Sequence, residues 1–166
     1  FNFSDKTVFE WGSGYSSLFW AKRAKEIVSI DDSQKWADIV FKNKLVNQKI
    51  ILLEGKKDYV ESILDQNKKF DVIVIDGKYR YECAKLAINC LSKGGIIILD
   101  NSDWFPKTVS ILRGYDLFQV DFSGFGPGNG YTWTTSLFFS LDTNLNAFCF
   151  NQPLQPVGGL KEYEDE

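Results

Sequence analysis

Glu10-Trp11-Gly12-Ser13-Gly14-Tyr15-Ser16-Ser17 (EWGSGYSS) is the stretch on which the fold turns. It follows a short β-rich run at residues 6–11 (KTVFEW) and leads into a helical pattern carrying Leu18, Phe19, Trp20 and Ala21. Ser16 and Ser17 are suited to capping that helix. Glycines between a strand and a helix permit a tight turn and let a ligand approach the backbone closely, with the helix N-terminus behind it. Two glycines alone are equally consistent with an ordinary turn. Their position between strand and helix makes them a binding candidate.

Outward from this stretch, strand and helix patterns alternate. Residues 26–30 (EIVSI) read as a second strand, stopped by Asp31-Asp32-Ser33. A helix then runs to about residue 47, with Trp36, Ile39, Val40 and Phe41 toward one side. Residues 49–53 (KIILL) form a third strand and residues 58–64 a short helix. Residues 70–75 (FDVIVI) and 95–99 (GIIIL) are almost wholly apolar, as strands buried on both faces should be. Between them, Cys83, Ala84, Ala87, Cys90 and Leu91 recur at helical spacing. Residues 117–122 and 136–141 are two more strand candidates, joined by a glycine-rich loop too short for a crossover helix, so they should pair antiparallel. The expected fold is α/β: a doubly wound, mostly parallel seven-stranded sheet ending in an antiparallel hairpin strand. Residues 1–143 read as one core, and residues 144–166, with Pro153, Pro156 and an acidic close, as an arm or tail.

The composition narrows the chemistry. With 19 Lys+Arg against 22 Asp+Glu in 166 residues, there is no basic surplus for a nucleic-acid groove or an anionic membrane. No apolar run reaches the roughly 18 residues of a membrane span. The absence of His removes His-based triads, His-rich zinc sites and the usual proton shuttle. Proton or metal chemistry falls to Asp, Glu, Lys, Tyr or Cys. Cys83 and Cys90, two helical turns and about 10 Å apart, are beyond disulfide reach. With Cys149 alone, the cysteines fit a reducing compartment, so a cytoplasmic location is expected. A chain that begins at Phe1 and contains no Met reads as a fragment or a processed product whose native start is not visible.

In open α/β sheets, ligands bind beyond the carboxyl ends of the strands. After the second strand stand Asp31 and Asp32; a carboxylate there can accept both hydroxyls of a ribose. Either can instead simply cap the following helix, Asp32 more readily than Asp31. A dinucleotide and S-adenosylmethionine both fit this layout. Ser17 occupies the third position of the GxGxxG pattern, and Glu10 would sit awkwardly beside a pyrophosphate but suits an ammonium group, which favours S-adenosylmethionine.

The runs EWGSGYSS, SIDDS, FDVIVIDG and GGIIILDN, in this order and spacing, resemble the class I S-adenosylmethionine-dependent methyltransferases across about residues 5–141. The resemblance implies that Glu10, Gly12, Ser13 and Gly14, with Ser16 and Ser17, hold the methionine part and that Asp31, beside Asp32, holds the ribose. It also implies that residues 54–58 lie near the adenine, with Asp58 a candidate for its amino group and Asp76 beside the cofactor. Asp76 after the fourth strand and Asp100-Asn101 after the fifth also look like the catechol O-methyltransferase branch. There such residues bind Mg²⁺, and a Lys just after the first Asp acts as base, a role Lys78 would fill. Tyr79 stands one residue closer to Asp76 than that pattern has it, and Asp-Asn also occurs in relatives without metal, where it shapes the pocket and caps the next helix.

Proton removal then falls to Lys78, Asp76, Asp100 or a metal-bound group. The loop at residues 123–133 holds four of the 13 glycines and reads either as a hairpin connection or as a mobile substrate rim. Phe125, Tyr131 and Trp133, with Trp104 and Phe105, are its apolar contacts. The leading reading is a methyltransferase acting on a small-molecule hydroxyl, without nucleic-acid or membrane partners and with a homo-oligomer open. The alternatives are an NAD-dependent oxidoreductase or a non-catalytic S-adenosylmethionine-binding module. Helices that related enzymes carry before the first strand are expected to be absent, truncated or supplied by a partner.

Overall fold

The computed structural model describes residues 1–126 and 129–149. Strands and helices alternate as β1 (Thr7–Trp11), α1 (Tyr15–Ala21), β2 (Glu26–Asp31), α2 (Gln34–Lys42), β3 (Gln48–Leu52), α3 (Lys56–Glu61), β4 (Phe70–Ile75) and α4 (Arg80–Cys90), then β5 (Leu91–Leu99), α5 (Pro106–Arg113), β6 (Leu117–Phe125) and β7 (Thr132–Ser140). All seven strands lie in one sheet, in the order β3-β2-β1-β4-β5-β7-β6. Strands β1 to β5 pair parallel, and β7 is inserted antiparallel between β5 and β6. The expected α/β class, the seven strands and the terminal antiparallel hairpin are all present. Of the expected tail, residues 150–166 lie outside the described residues; within 144–149, Asn146 O accepts the Asn2 amide at 2.9 Å.

The two faces of the sheet are filled by the alternation along each strand. One face carries Phe9, Trp11, Ile73, Ile75 and Ile97 into a core with Cys83, Ala84 and Ala87 of α4. The other carries Val8, Val72 and Val74 against Trp20 and Ala21 of α1. The small buried residues of α4 let that helix lie close to the sheet. Cys83 and Cys90 are free and buried there. Among the described residues no helix is long and apolar enough to cross a membrane.

The structure departs from the sequence reading most clearly in α2 and β5. Helix α2 ends at Lys42 because Asn47 is drawn away: its side-chain amide donates to the carbonyls of Ala21 and Ala24, each at 2.9 Å. Helix α2 also buries Ala37 and Val40, while Trp36 and Phe41 stay largely exposed. Strand β5 begins at Leu91, directly after α4, with a register shift opposite Phe70–Val72. The apolar run 95–99 is only its second half.

Strand order reverses at β1, which has β2 on one side and β4 on the other. The turns that leave β1 and β4 meet there backbone to backbone. Gly12 has φ +97°, and a Cβ on it would stand 2.6 Å from the Gly77 nitrogen and 2.8 Å from the Gly77 Cα. A Cβ on Gly77 would stand 1.9 Å from the Tyr59 hydroxyl. Neither position tolerates a side chain, whereas a Cβ on Gly14 would meet only the Trp36 ring at 3.7 Å. Gly12→Ala is therefore expected to cost about 2 kcal/mol or more, from a forbidden φ and a backbone clash together. Gly14→Ala should cost less than about 1 kcal/mol. Denaturant unfolding of both variants checks this; equal costs would mean that the two turns do not touch.

Candidate functional site

A crevice of about 900 Å³ opens at the carboxyl end of the sheet, above the β1–β4 junction. One wall is the turn Gly12 to Ser16, a second is Asp31, Asp32 and Trp36, and a third is Asp76, Gly77 and Lys78. Tyr59 and Asp100 close the base, while Asn129 and Trp133 reach in from the β6–β7 hairpin. The fold thus brings together Gly12, Ser13, Gly14, Ser16, Asp31, Asp32, Asp76, Lys78 and Asp100 of the residues expected from sequence.

Glu10 and Ser17 belong to the layer beneath. Glu10 is fully buried on β1, and its carboxylate accepts hydrogen bonds from three hydroxyls: Ser16 at 2.6 Å, Ser29 at 2.8 Å, and Ser17. Ser17 Oγ in turn accepts the Gly14 amide at 3.0 Å. Glu10 therefore shapes the glycine turn through Ser17 and does not line the crevice. Burial pushes its pKa up to about 7, against the lowering effect of the three hydroxyls. Asp58 is exposed and outside the crevice; its neighbour Tyr59 lines it instead.

Asp31 is buried and heavily used. Its Oδ2 accepts the Ser13 amide at 2.6 Å and the Ser13 hydroxyl at 2.7 Å, and its Oδ1 accepts the Ser33 amide at 2.7 Å. Three of roughly four acceptor positions of the carboxylate are taken. The Ser13 hydroxyl can rotate away and release a second. The N-cap of α2 is Ser33 and no side chain bonds the amides of its first turn, so the expected capping by Asp32 or Asp31 is not seen; at that helix end Asp31 takes only the Ser33 amide. Asp32 pairs with Lys78 across the mouth of the crevice.

That pair also engages Lys78, the residue expected from sequence to act as base. The hydrogen bond and charge of Asp32 raise its pKa above the ordinary lysine value, and an ammonium so held has no lone pair with which to act as base. Tyr79 adopts a left-handed conformation, φ 54°, just before α4. Lys78 sits exposed at the crevice mouth, while Arg80 lies beneath it.

Arg80 is the principal residue that sequence reasoning missed. Its Nη2 donates to Asp76 Oδ1 at 3.1 Å and Asp76 O at 2.7 Å, its Nη1 to Asn101 Oδ1 at 3.1 Å and to Asp100 O, and its Nε to Gly77 O at 2.9 Å. The donor set expected to hold Mg²⁺ (Asp76, Asp100, Asn101) does not fit a metal. Asp76 and Asn101 each turn an oxygen to a guanidinium, and Asp100 Oδ1 accepts the Trp133 indole at 3.1 Å and the Thr135 hydroxyl. Among the described residues no cluster of three or more His, Cys, Asp or Glu could hold a metal ion. Asn101 instead stands in a left-handed conformation, φ 49°, ahead of the short turn Ser102–Trp104. Asp76 has its pKa pushed up to about 7, first by burial and then by the charge of Asp100, with Arg80 opposing.

The β6–β7 loop does lie on the ligand side of the sheet. The Trp133 ring occupies the space a Cβ on Gly126 would need, and Tyr131 packs between Trp133 and Trp104 at 5.8 and 6.2 Å. Trp104 and Phe105, expected in the same pocket, line a neighbouring groove with Tyr81. Phe125 lines another, which shares Asp100 and Trp133 with the crevice.

The crevice can be tested for the two nucleoside cofactors. A pyrophosphate seeks free amides at a helix N-terminus. Here the Gly12 amide donates to Ile30 O at 2.8 Å, Ser13 to Asp31 and Gly14 to Ser17. Four Asp side chains line the space against one Lys, an environment for a cation. This lining suits a ligand with cationic groups, such as the sulfonium and ammonium of S-adenosylmethionine.

No family model and no curated protein sequence matches the chain. Solved structures do match in fold. A precorrin-6y C5,15-methyltransferase from Geobacter metallireducens superimposes with a TM-score of 0.64 at 15% identity, over 82% of this chain and 80% of that one. An N-methyltransferase from Bradyrhizobium japonicum, in complex with S-adenosylhomocysteine, gives 0.61 at 15%, over 82% and 78%. A spermidine synthase from Thermotoga maritima gives 0.63 at 14% over 84% of this chain; the chain spans about half of that protein, 54%. The chain thus shares its fold with these two methyltransferases and the synthase.

The buried Glu10 makes stability pH-dependent. The folded protein holds a proton there that the unfolded chain releases from about 4.5 upward, so stability is lost as pH rises toward 7. A shift from 4.5 to about 7 corresponds to about 3 kcal/mol. Glu10→Gln, uncharged at every pH, should flatten the fall in unfolding free energy between pH 5 and 8. An identical pH slope in the wild type and the variant would contradict the assignment.

Proposed function

We propose that the chain is a methyltransferase that uses S-adenosylmethionine and delivers the methyl group to a hydroxyl oxygen of an uncharged small molecule, without a metal. The observation that carries this reading is the crevice lining. Carboxylates outnumber cations, and the amides of Gly12, Ser13 and Gly14 already have partners. A cationic nucleoside is favoured there and a pyrophosphate is not.

Gly12 to Gly14 would face the amino-acid part, Asp31 would accept from the ribose hydroxyls, and the side chains of Tyr59 and Trp36 supply apolar surface. When bound, S-adenosylmethionine supplies a methyl group on sulfonium sulfur, already activated toward attack. The protein's work is to align the acceptor oxygen with that methyl group and to take its proton. Asp76 is suited to the proton. It lines the crevice, Arg80 fixes one of its oxygens, and with its pKa near 7 it both accepts a proton and gives it back at neutral pH. Asp100, held by Trp133 and Thr135, keeps a second carboxylate beside it. The predominance of acid around the site argues against anionic acceptors. Exposed Trp104 and Tyr131, packed beside the half-buried Trp133, offer flat apolar contact to a neutral one.

Isothermal titration should show S-adenosylmethionine and S-adenosylhomocysteine binding, with no binding of NADH at about a hundredfold higher concentration. Asp31→Ala should weaken both by at least about tenfold, or 1.4 kcal/mol, while Ser13→Ala stays close to wild type. Tighter binding of NADH would overturn the reading. In an assay for S-adenosylhomocysteine release across a panel of alcohols, phenols and amines, Asp76→Asn should lower turnover by about 100-fold or more and leave cofactor affinity within a few-fold. Undiminished turnover would remove Asp76 from the chemistry.

A further inference from the structure

We infer that Arg80 is a positioning residue that takes the place of a divalent cation, its guanidinium binding the ends of β4 and β5 together and orienting the Asp76 carboxylate toward the crevice. A guanidinium has five N–H donors in a fixed plane, and here each has an acceptor. They reach three main-chain carbonyls (Asp76, Gly77 and Asp100) and two side-chain oxygens (Asp76 and Asn101), all on the two turns that follow adjacent strands. The side chain is 10% exposed, and the Phe105 ring lies against the guanidinium carbon at 4.6 Å. Phe105 thus shields the cation from water on one side and keeps it in place.

The oxygens used are those a hard cation would seek: a carboxylate, a side-chain amide and carbonyls. An ion arriving at Asp76 and Asn101 would have to displace a guanidinium held by five hydrogen bonds, against like-charge repulsion. The two cations differ in chemistry. A metal acidifies a hydroxyl that it binds; a guanidinium whose donors are all occupied cannot, so proton removal rests with the carboxylate it orients, Asp76. The inference concerns only the ends of two strands, and it stands or falls independently of the methyl donor.

Removing the guanidinium should expose a metal site that the wild type lacks. Mn²⁺ binding, followed by the loss of its free-ion electron paramagnetic resonance signal, is the direct readout. The wild type is expected to show no saturable binding up to about 1 mM Mn²⁺. Arg80→Ala should gain one site in about the 0.1–1 mM range, abolished again by Asp76→Asn. Arg80→Gln, closer in shape, serves where the alanine variant does not fold by circular dichroism. Arg80→Lys should stay blind to Mn²⁺, because an ammonium still supplies the charge. A merely structural arginine would not yield a metal site when replaced. A folded neutral variant that gains no site would overturn the inference. So would saturable, Asp76-dependent Mn²⁺ binding by the wild type.

Discussion

The turns after β1 and β4 touch through bare backbone, Gly12 against Gly77, and everything functional is arranged around that contact. Because no side chain separates them, the two strand ends meet at the point where the strand order reverses, and the crevice opens directly above. The tight turn is held from below. Glu10 binds Ser17, Ser17 binds Gly14, and Asp31 binds Ser13 from the next strand. A turn braced in this way keeps the amides of Gly12, Ser13 and Gly14 engaged with the protein itself.

Charge is distributed in two layers. Carboxylates face the crevice, and the cations that balance them sit at its mouth, Lys78 on Asp32, or behind it, Arg80 on Asp76. The rear cation does more, because it is shielded from water and reaches both strand ends. Two aspartates as close as Asp76 and Asp100 would otherwise repel each other. The raised pKa of Asp76 is what remains after Arg80 has offset part of that repulsion and of the burial.

Much of this was legible in the residues. Strands β4 and β5 announce themselves because burial on both faces demands continuous apolar runs, FDVIVI and GGIIIL. Gly12, Asp31, Asp76 and Asp100 follow from topology, since strand ends are where ligands bind. The rest depended on tertiary facts. Lys78 and Arg80 lie two residues apart, and only the left-handed Tyr79 and the start of α4 settle which cation turns inward. Glu10 reads as a ligand-facing acid until Ser16, Ser17 and Ser29, from two separate elements, are seen to surround it. Gly77 stood in the quoted run FDVIVIDG, yet its partner is 65 positions earlier in the chain, at Gly12. Arg80 stands only four residues after Asp76, but residues 76–79 are not helical, so the spacing alone gave no sign that the two side chains meet.

The most direct test of the account is a crystal structure of the chain with S-adenosylhomocysteine. The ligand should lie in the crevice between Gly12–Gly14 and Asp31, with its ribose on Asp31, its sulfur facing the Asp76–Asp100 pair, and Arg80 still bonded to both strand ends. A crevice that stays empty at saturating ligand, or a ligand bound elsewhere on the surface, would contradict it.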